Sequence, residues 1–275
     1  MNINDNILLL TDSYKIGGHW NMLPEGTDTV YSYFEARAGA KWPEVTFFGL
    51  QYVIKKYLVG VVVTREKIEQ AALYCRKHFG NDTAFNRAGW EHILNEWGGK
   101  LPVVIRAIPE GKTVPVYNVL MTIHNLGGAK TAWLTGYLET VLTHIWYGCT
   151  VATQSRQGKK MIKHFLAQTS DGGLIDFFIH DFGCRSVSCM EQAAYGGAAH
   201  LINFKGTDTV PALQFAEEVY GANLDTLAFS VPATEHSIMT PCGPDGEPDI
   251  VGRLIAQYPT GILSMVGDSF NIYEF

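Results

Sequence analysis

Four short apolar runs, each followed by a cluster of polar residues, constrain the fold of this 275-residue chain more than any other feature. The runs cover residues 175–179, 201–204, 227–232 and 262–266. His180, Asp208, His236 and Asp268 stand in the clusters, at spacings of 28, 28 and 32 residues that suit βα units. Buried parallel strands are apolar runs, and the C-terminal ends of barrel strands hold reactive groups. The pattern predicts an α/β fold in which residues 129–275 form an incomplete (β/α) barrel.

The chain before residue 129 has a different pattern. Residues 1–34 are predicted to be a lead-in that ends in a strand, and residues 35–128 a smaller α+β domain. Thr64 is typical of a helix N-cap, and Gly80 of the end of that helix. We further predict a helix around Trp90, then extended runs, then long helices. These runs and helices cover residues 103–108, 116–121, 130–147 and 152–168.

Composition excludes several classes of protein. Hydrophobic residues make up 47% of the chain and charged residues 17%, which is typical of a folded core and not of disorder. The net charge of −6 argues against nucleic acid as the main partner. Five cysteines without a CxxC pair indicate neither a disulfide framework nor a structural zinc site. No apolar run approaches about 20 residues, so we expect no membrane partner and a cytoplasmic location.

Two aspartates in the polar clusters are candidates for binding. Asp181 and Asp208 each follow a predicted strand, where a carboxylate can accept hydrogen bonds from a substrate amide or hold a metal ion. Aspartate at a strand-to-helix turn is equally often a helix N-cap. The residue type and position leave both alternatives open at each site.

Three further residues have a functional and a structural interpretation. An imidazole such as that of His236 can act as acid, base or phosphoryl acceptor, although most histidines are structural. Arg185 can present a fork of donors to a phosphate, or form an ordinary surface ion pair. Phe182 can pack in a core, or offer its face to a planar ring. Together these residues indicate an α/β site for a planar, phosphorylated or amide-bearing small molecule.

Motifs distributed along the whole chain identify a family. The motifs are LTDSYK at 10–15, VYSYFE at 30–35, FGLQY at 48–52, TVAT at 150–153, HDFG at 180–183, NFKGTDTV at 203–210, EHS at 235–237 and DS at 268–269. With these motifs the chain resembles the nicotinamide phosphoribosyltransferases, of the type II phosphoribosyltransferase family.

The resemblance implies an activity and its partners. The expected reaction transfers the phosphoribosyl group of phosphoribosyl pyrophosphate to the ring nitrogen of nicotinamide, giving nicotinamide mononucleotide and pyrophosphate in NAD salvage. Mg²⁺ is the expected cofactor, and ATP a coupled co-substrate that phosphorylates His236. The resemblance also implies a homodimer with a shared active site. Alternatives are a nicotinate phosphoribosyltransferase, which a carboxylate at position 208 argues against, and a non-catalytic fragment that binds nicotinamide or dimerises.

The resemblance also assigns roles to residues. It implies that Phe182 stacks on one face of nicotinamide while Tyr14 of the partner subunit covers the other, and that Asp208 accepts the carboxamide N–H. Arg185 is expected to reach the ring or the nucleotide phosphate. The remaining positions assigned to the catalytic or substrate site are Asp12, Arg37, Glu235, His236, Ser264 and Asp268.

Two departures from the family pattern stand out. Cys184, Ser186 and Met190 replace the usual Tyr, Gly and Gln beside the ring-side residues. Family members also continue well beyond Asp268, with later barrel strands and the phosphate-binding loops. We therefore expect the 275-residue chain to be a fragment, or one half of a split enzyme that a separate C-terminal half completes.

Overall fold

Helices and short strands alternate along the chain, which gives a mixed α/β fold. The structure is a computed structural model, and it describes residues 6–273. Single 3-10 turns join several of the helices, and a π-helical turn at Ile54–Leu58 extends the second one. The helices are α1 (Ser13–Ile16), α2 (Leu50–Val53), α3 (Arg65–Phe79), α4 (Arg87–Glu96), α5 (Trp133–Thr143), α6 (Ile145–Thr169), α7 (Met190–His200), α8 (Val210–Tyr220), α9 (Leu224–Leu227), α10 (His236–Met239) and α11 (Gly243–Gln257).

The strands of the described residues form three small sheets. Their bounds are β1 (Tyr31–Glu35), β2 (Glu44–Thr46), β3 (Val103–Ala107), β4 (Thr113–Pro115), β5 (Val119–Asn125), β6 (His180–Asp181) and β7 (Gly206–Thr207). An antiparallel sheet has the order β1-β5-β3, and β2 pairs with β4 in a second antiparallel sheet. The third sheet pairs β6 with β7 in parallel.

The predicted helix after Thr64 is confirmed at both ends. The Thr64 side chain accepts a hydrogen bond from the backbone N–H of Lys67, and Gly80 ends α3 in the left-handed conformation. Ile68 and Cys75 lie on its buried face. The local signals decide this helix because the cap, the apolar spacing and the final glycine agree.

Other predicted boundaries shift by a few residues. The run at 116–121 is interrupted by Tyr117, whose φ of 65° makes a turn, and β5 begins only at Val119. The break between the two long helices, α5 and α6, lies at His144 and not near residue 150. No helix between residues 6 and 273 is long and apolar enough to cross a membrane.

The prediction that the four apolar runs themselves are strands is wrong. Residues 175–177 form a 3-10 turn after Leu174, which has a φ of 60°, and residues 201–203 form a turn at the end of α7. The polar clusters that follow supply β6 and β7. The third run begins with the last residue of α9, and beyond it the last two runs contribute only isolated bridge positions, such as Ser264, which pairs with Ala233. An apolar run becomes a strand only where a neighbouring strand completes its hydrogen-bond ladder.

The chain divides into two compact units, residues 1–228 and residues 229–275. Within the first unit a large core packs α3, α4 and α5 against the β1-β5-β3 sheet. A smaller aromatic core, including Phe48, Tyr195 and Phe215, joins α6, α7 and α8. No closed barrel is present among residues 6–273. The predicted boundaries near residues 34 and 128 stay predictions.

Candidate functional site

The β6–β7 pair brings the first and second polar clusters together. His180 lies opposite Gly206, and Asp181 opposite Thr207, in parallel register. The backbone N–H of Asp208 donates to the Asp181 carbonyl at 2.9 Å, which continues the ladder by one residue. Nε2 of His180 lies 2.8 Å from Oδ1 of Asp208, within hydrogen-bond distance. Residues 28 positions apart in the sequence thus come into direct side-chain contact.

Phe182 presents its ring to solvent beside this pair. Its side chain is 60% exposed, which is unusual for a phenylalanine. Its ring centroid lies 4.7 Å from that of His180, at an interplanar angle of 37°. An exposed aromatic face beside a carboxylate offers both a stacking surface and a hydrogen-bond acceptor to a planar amide. The core alternative for Phe182 is therefore wrong.

Asp181 and Arg185 have different surroundings. Oδ1 of Asp181 accepts the backbone N–H of Gly183 at 2.8 Å, so this carboxylate stabilises the turn after β6. The N-cap position of α8 belongs to Thr209 and not to Asp208. Arg185 is exposed at the end of that turn, and no ion-pair or hydrogen-bond partner for its guanidinium lies among residues 6–273. A fork of donors without a carboxylate partner suits an anionic ligand.

A buried histidine, His200, contacts the backbone directly before β6. His200 is only 6% exposed, and its Nδ1 lies 2.9 Å from Ser155 Oγ. Its Nε2 lies 3.2 Å from the Ile179 carbonyl, directly before His180. Burial lowers the pKa of His200, although the nearby carboxylate of Asp181 raises it in part. A histidine within a helical stretch carries no local sign of such a role; the one signal in the sequence is its spacing of four from Phe204, on which its ring stacks.

The second unit holds its own histidine and aspartate pair. Nε2 of His236 lies 2.9 Å from Oδ1 of Asp268, and both side chains are well exposed, at 65% and 71%. Glu235 is the residue before α10, and its carboxylate accepts a hydrogen bond from Ser237. The backbone of Ser264 exchanges hydrogen bonds of 3.0 Å with Pro232 and Thr234, which brings the loops before His236 and Asp268 together.

The remaining site residues lie near the N-terminus. Tyr14 is 62% exposed on α1, and the Lys15 ammonium lies 5.2 Å from its ring centroid. Asp12 precedes α1 and accepts a hydrogen bond from Thr140 at 2.7 Å. Arg37 follows β1 and lines a groove of about 750 Å³. The ring of Tyr14 contacts Lys15 and His19, and not the ring of Phe182.

The described residues do not form a metal site by themselves. No group of three or more His, Cys, Asp and Glu side chains in the part of the chain from 6 to 273 is arranged to hold a metal ion. The five cysteines are all free.

Family models match both ends of this architecture. The model described as "Nicotinamide phosphoribosyltransferase, N-terminal domain" matches residues 6–105, which include Asp12, Tyr14 and Arg37. The model described as "Nicotinate phosphoribosyltransferase (NAPRTase) family" matches residues 177–265, which include Phe182 and Asp208.

Curated relatives align with the whole chain. A nicotinamide phosphoribosyltransferase of Xanthomonas campestris pv. campestris (strain 8004) is 44% identical over 278 residues, covering 100% of this chain and 58% of the relative. One of Acinetobacter baylyi is 34% identical, covering 100% and 56%, and one of Mycoplasma genitalium is 29% identical, covering 97% and 60%.

A solved structure supports the fold. The crystal structure of human nicotinic acid phosphoribosyltransferase superposes with a TM-score of 0.53 at 18% identity, covering 85% of this chain and 41% of that chain. At this identity the likeness concerns the mixed α/β fold alone. Over its whole length, the chain therefore resembles the nicotinamide phosphoribosyltransferases, and it spans 56–60% of the length of the relatives that it matches.

Proposed function

We propose that this chain supplies the nicotinamide side of a nicotinamide phosphoribosyltransferase site. The whole protein would transfer phosphoribosyl from phosphoribosyl pyrophosphate to nicotinamide, in NAD salvage. The observation that carries the proposal is the contact of one imidazole, that of His180, with both the exposed ring of Phe182 and the carboxylate of Asp208. Phe182 would stack on the pyridine ring while Asp208 accepts the carboxamide N–H. A nicotinate carboxylate at the same place would be repelled by Asp208, which disfavours the acid as substrate.

The residues around this pair would serve the transfer. The ring nitrogen of nicotinamide forms a bond to C1′ of the ribose as the bond from C1′ to pyrophosphate breaks. Because the reacting carbon becomes positive, the protein mainly has to hold the ring in line and neutralise the leaving group. Arg185, exposed beside Phe182, would contact the phosphate of the nucleotide.

We further propose the larger assembly that such a site needs. Strands β6 and β7 would belong to a (β/α) barrel that a C-terminal half, in the same protein or in a separate chain, would complete. Tyr14 of one subunit would cover the ring in a second copy, so the active species would be a homodimer. The exposure of Tyr14, at 62%, supports this role. The free cysteines support a cytoplasmic location.

His236 would be the residue that ATP phosphorylates. When Nε2–H donates to Asp268, the lone pair of the neutral ring lies on Nδ1. Nδ1 would attack the γ-phosphorus of ATP, forming an N–P bond as the P–O bond to ADP breaks. Asp268 would stabilise the positive charge that develops on the imidazole. We propose Mg²⁺ as a companion of the substrate phosphates, since the described residues form no cage of their own for it.

The test combines binding with product formation. We expect nicotinamide to bind the 275-residue chain in ligand-observed NMR, and nicotinamide mononucleotide to form once the C-terminal portion of the Xanthomonas campestris relative is added with phosphoribosyl pyrophosphate, Mg²⁺ and ATP. Phe182→Ala should abolish the NMR signal. Phe165→Ala is the matched control, since Phe165 is an equally exposed phenylalanine, at 59%, on α6.

Two results would overturn the proposal. One is the absence of both nicotinamide binding and product. The other is a preference for nicotinate over nicotinamide in a competition measurement, which would establish the acid as the substrate instead.

A further inference from the structure

We propose that His180 is a positioning residue that orients the Asp208 carboxylate toward the carboxamide of the substrate and so sets the preference for amide over acid. The inference rests on the proposed function, because it assumes that a nicotinamide ring lies against Phe182. The imidazole of His180 would touch no reacting atom, and its role would be to align the Asp208 carboxylate.

The parallel register places the two side chains on one face of the sheet. His180 is paired with Gly206, and Asp208 stands two positions beyond Gly206. Side chains two residues apart on an extended backbone point to the same side of the sheet. The side chain of His180 can therefore reach Asp208, which lies two residues after its cross-strand partner Gly206. The 2.8 Å contact between Nε2 and Oδ1 is the result.

The imidazole itself has little freedom to move. A Cβ at Gly206 would come within 2.7 Å of Nδ1, so the glycine leaves just enough room for the ring. Phe182 packs against the ring at a centroid distance of 4.7 Å. The His180 side chain is 24% exposed, compared with 39% for Asp208. His180 is the less exposed and more constrained residue of the pair, and it therefore fixes the orientation of the Asp208 carboxylate.

Such a contact affects ligands selectively. A carboxylate that accepts one hydrogen bond from a fixed donor keeps its plane, and its remaining lone pairs keep a defined direction. An amide N–H needs an acceptor in that direction, whereas a ligand that only stacks on Phe182 does not. Loss of His180 should therefore weaken the binding of an amide and spare the binding of a ring without N–H.

The experiment compares two ligands on variants of the 275-residue chain. The ligands are nicotinamide and 3-acetylpyridine, which has the same ring and carbonyl but no N–H donor. His180→Leu removes the donor, whereas His180→Gln keeps an N–H near the position of Nε2. His164→Leu, on the exposed face of α6, is the matched control for loss of an imidazole. Dissociation constants are measured by NMR titration, and the fold is checked by circular dichroism.

We expect His180→Leu to weaken nicotinamide binding roughly tenfold, as loss of one charge-assisted hydrogen bond does, while 3-acetylpyridine changes less than about twofold. His180→Gln should recover most of the loss, and His164→Leu should change nothing. Equal weakening of both ligands, or no recovery with glutamine, would overturn the inference and leave the proposed function intact. Should His180→Leu fail to fold, the inference stands only if His180→Gln binds both ligands like the wild type. If the wild-type chain does not bind nicotinamide, the proposed function fails and the inference with it.

Discussion

Two aspartates of the polar clusters show what a single residue's type can and cannot predict. Asp181 and Asp208 both follow apolar runs, and both suit either binding or capping. In the structure Asp181 accepts the Gly183 N–H and stabilises its own turn, whereas Asp208 contacts the His180 imidazole. The difference arises from the partner strand, which no local pattern contains. Only the pairing of β6 with β7 separates the structural aspartate from the candidate ligand.

His200 predicts a pH dependence of stability. Because burial lowers its pKa from the usual 6.5 in the folded state, the unfolded chain binds this proton more readily as the pH falls below that value. The stabilising effect of the neutral ring is complete above pH 6.5 and is lost as the pH falls toward the folded-state pKa. We expect the free energy of unfolding in urea to fall between pH 7.5 and pH 5.5, and to fall less in His200→Gln.

His164→Gln is the control for that measurement. His164 is exposed on α6, so its replacement should leave the pH dependence of the wild type unchanged. If His200→Gln and the wild type lose the same free energy of unfolding over this pH range, the contribution assigned to His200 is wrong.

The helices and strands differ in how well their positions can be predicted from the sequence. Helix α3 is predictable because Thr64, its apolar spacing and Gly80 act within one segment. The small residues at 196–199 likewise indicate close helix packing, and a Cβ on Gly197 would lie 2.6 Å from Cβ of Ala212. Strands β6 and β7 lie in the polar clusters and not in the apolar runs. The sequence does not predict their positions, because a parallel strand depends on a neighbour that is distant in sequence.

The packing of α6 on α7 makes a prediction about Gly148. A Cβ at this position would lie 2.5 Å from the hydroxyl oxygen of Tyr195, which is buried in the aromatic core. Gly148→Ala should therefore lower the free energy of unfolding by about 1–3 kcal/mol, as overpacking does. Gly158→Ala on the same helix should be close to neutral, because a Cβ there meets only the mobile end of Ile179 and alanine favours the helix. Urea denaturation checks both variants, and equal losses would contradict this account of the packing.

At the scale of the whole molecule, the two compact units differ in how much core they contain. Both large apolar clusters lie within residues 1–228. Among the described residues from 229 onward, the apolar side chains nearly removed from solvent are Met239 and Leu254. A segment of this size with so small a core has little stability of its own. The ring-side residues Phe182 and Asp208 belong to the well-packed unit, whereas His236 and Asp268 belong to the other.

This division predicts the behaviour of a chain that ends at Ala228. We expect it to fold and still to bind nicotinamide, because the ring face, the carboxylate and His180 are all retained. Its affinity for nicotinamide should stay within about twofold of that of the 275-residue chain, because the contacts of His180 with Phe182 and Asp208 lie within residues 1–228. The NMR titration compares the two chains, and circular dichroism checks that the shortened chain folds. If the shortened chain folds but binds no nicotinamide, the ring site cannot be assigned to residues 1–228.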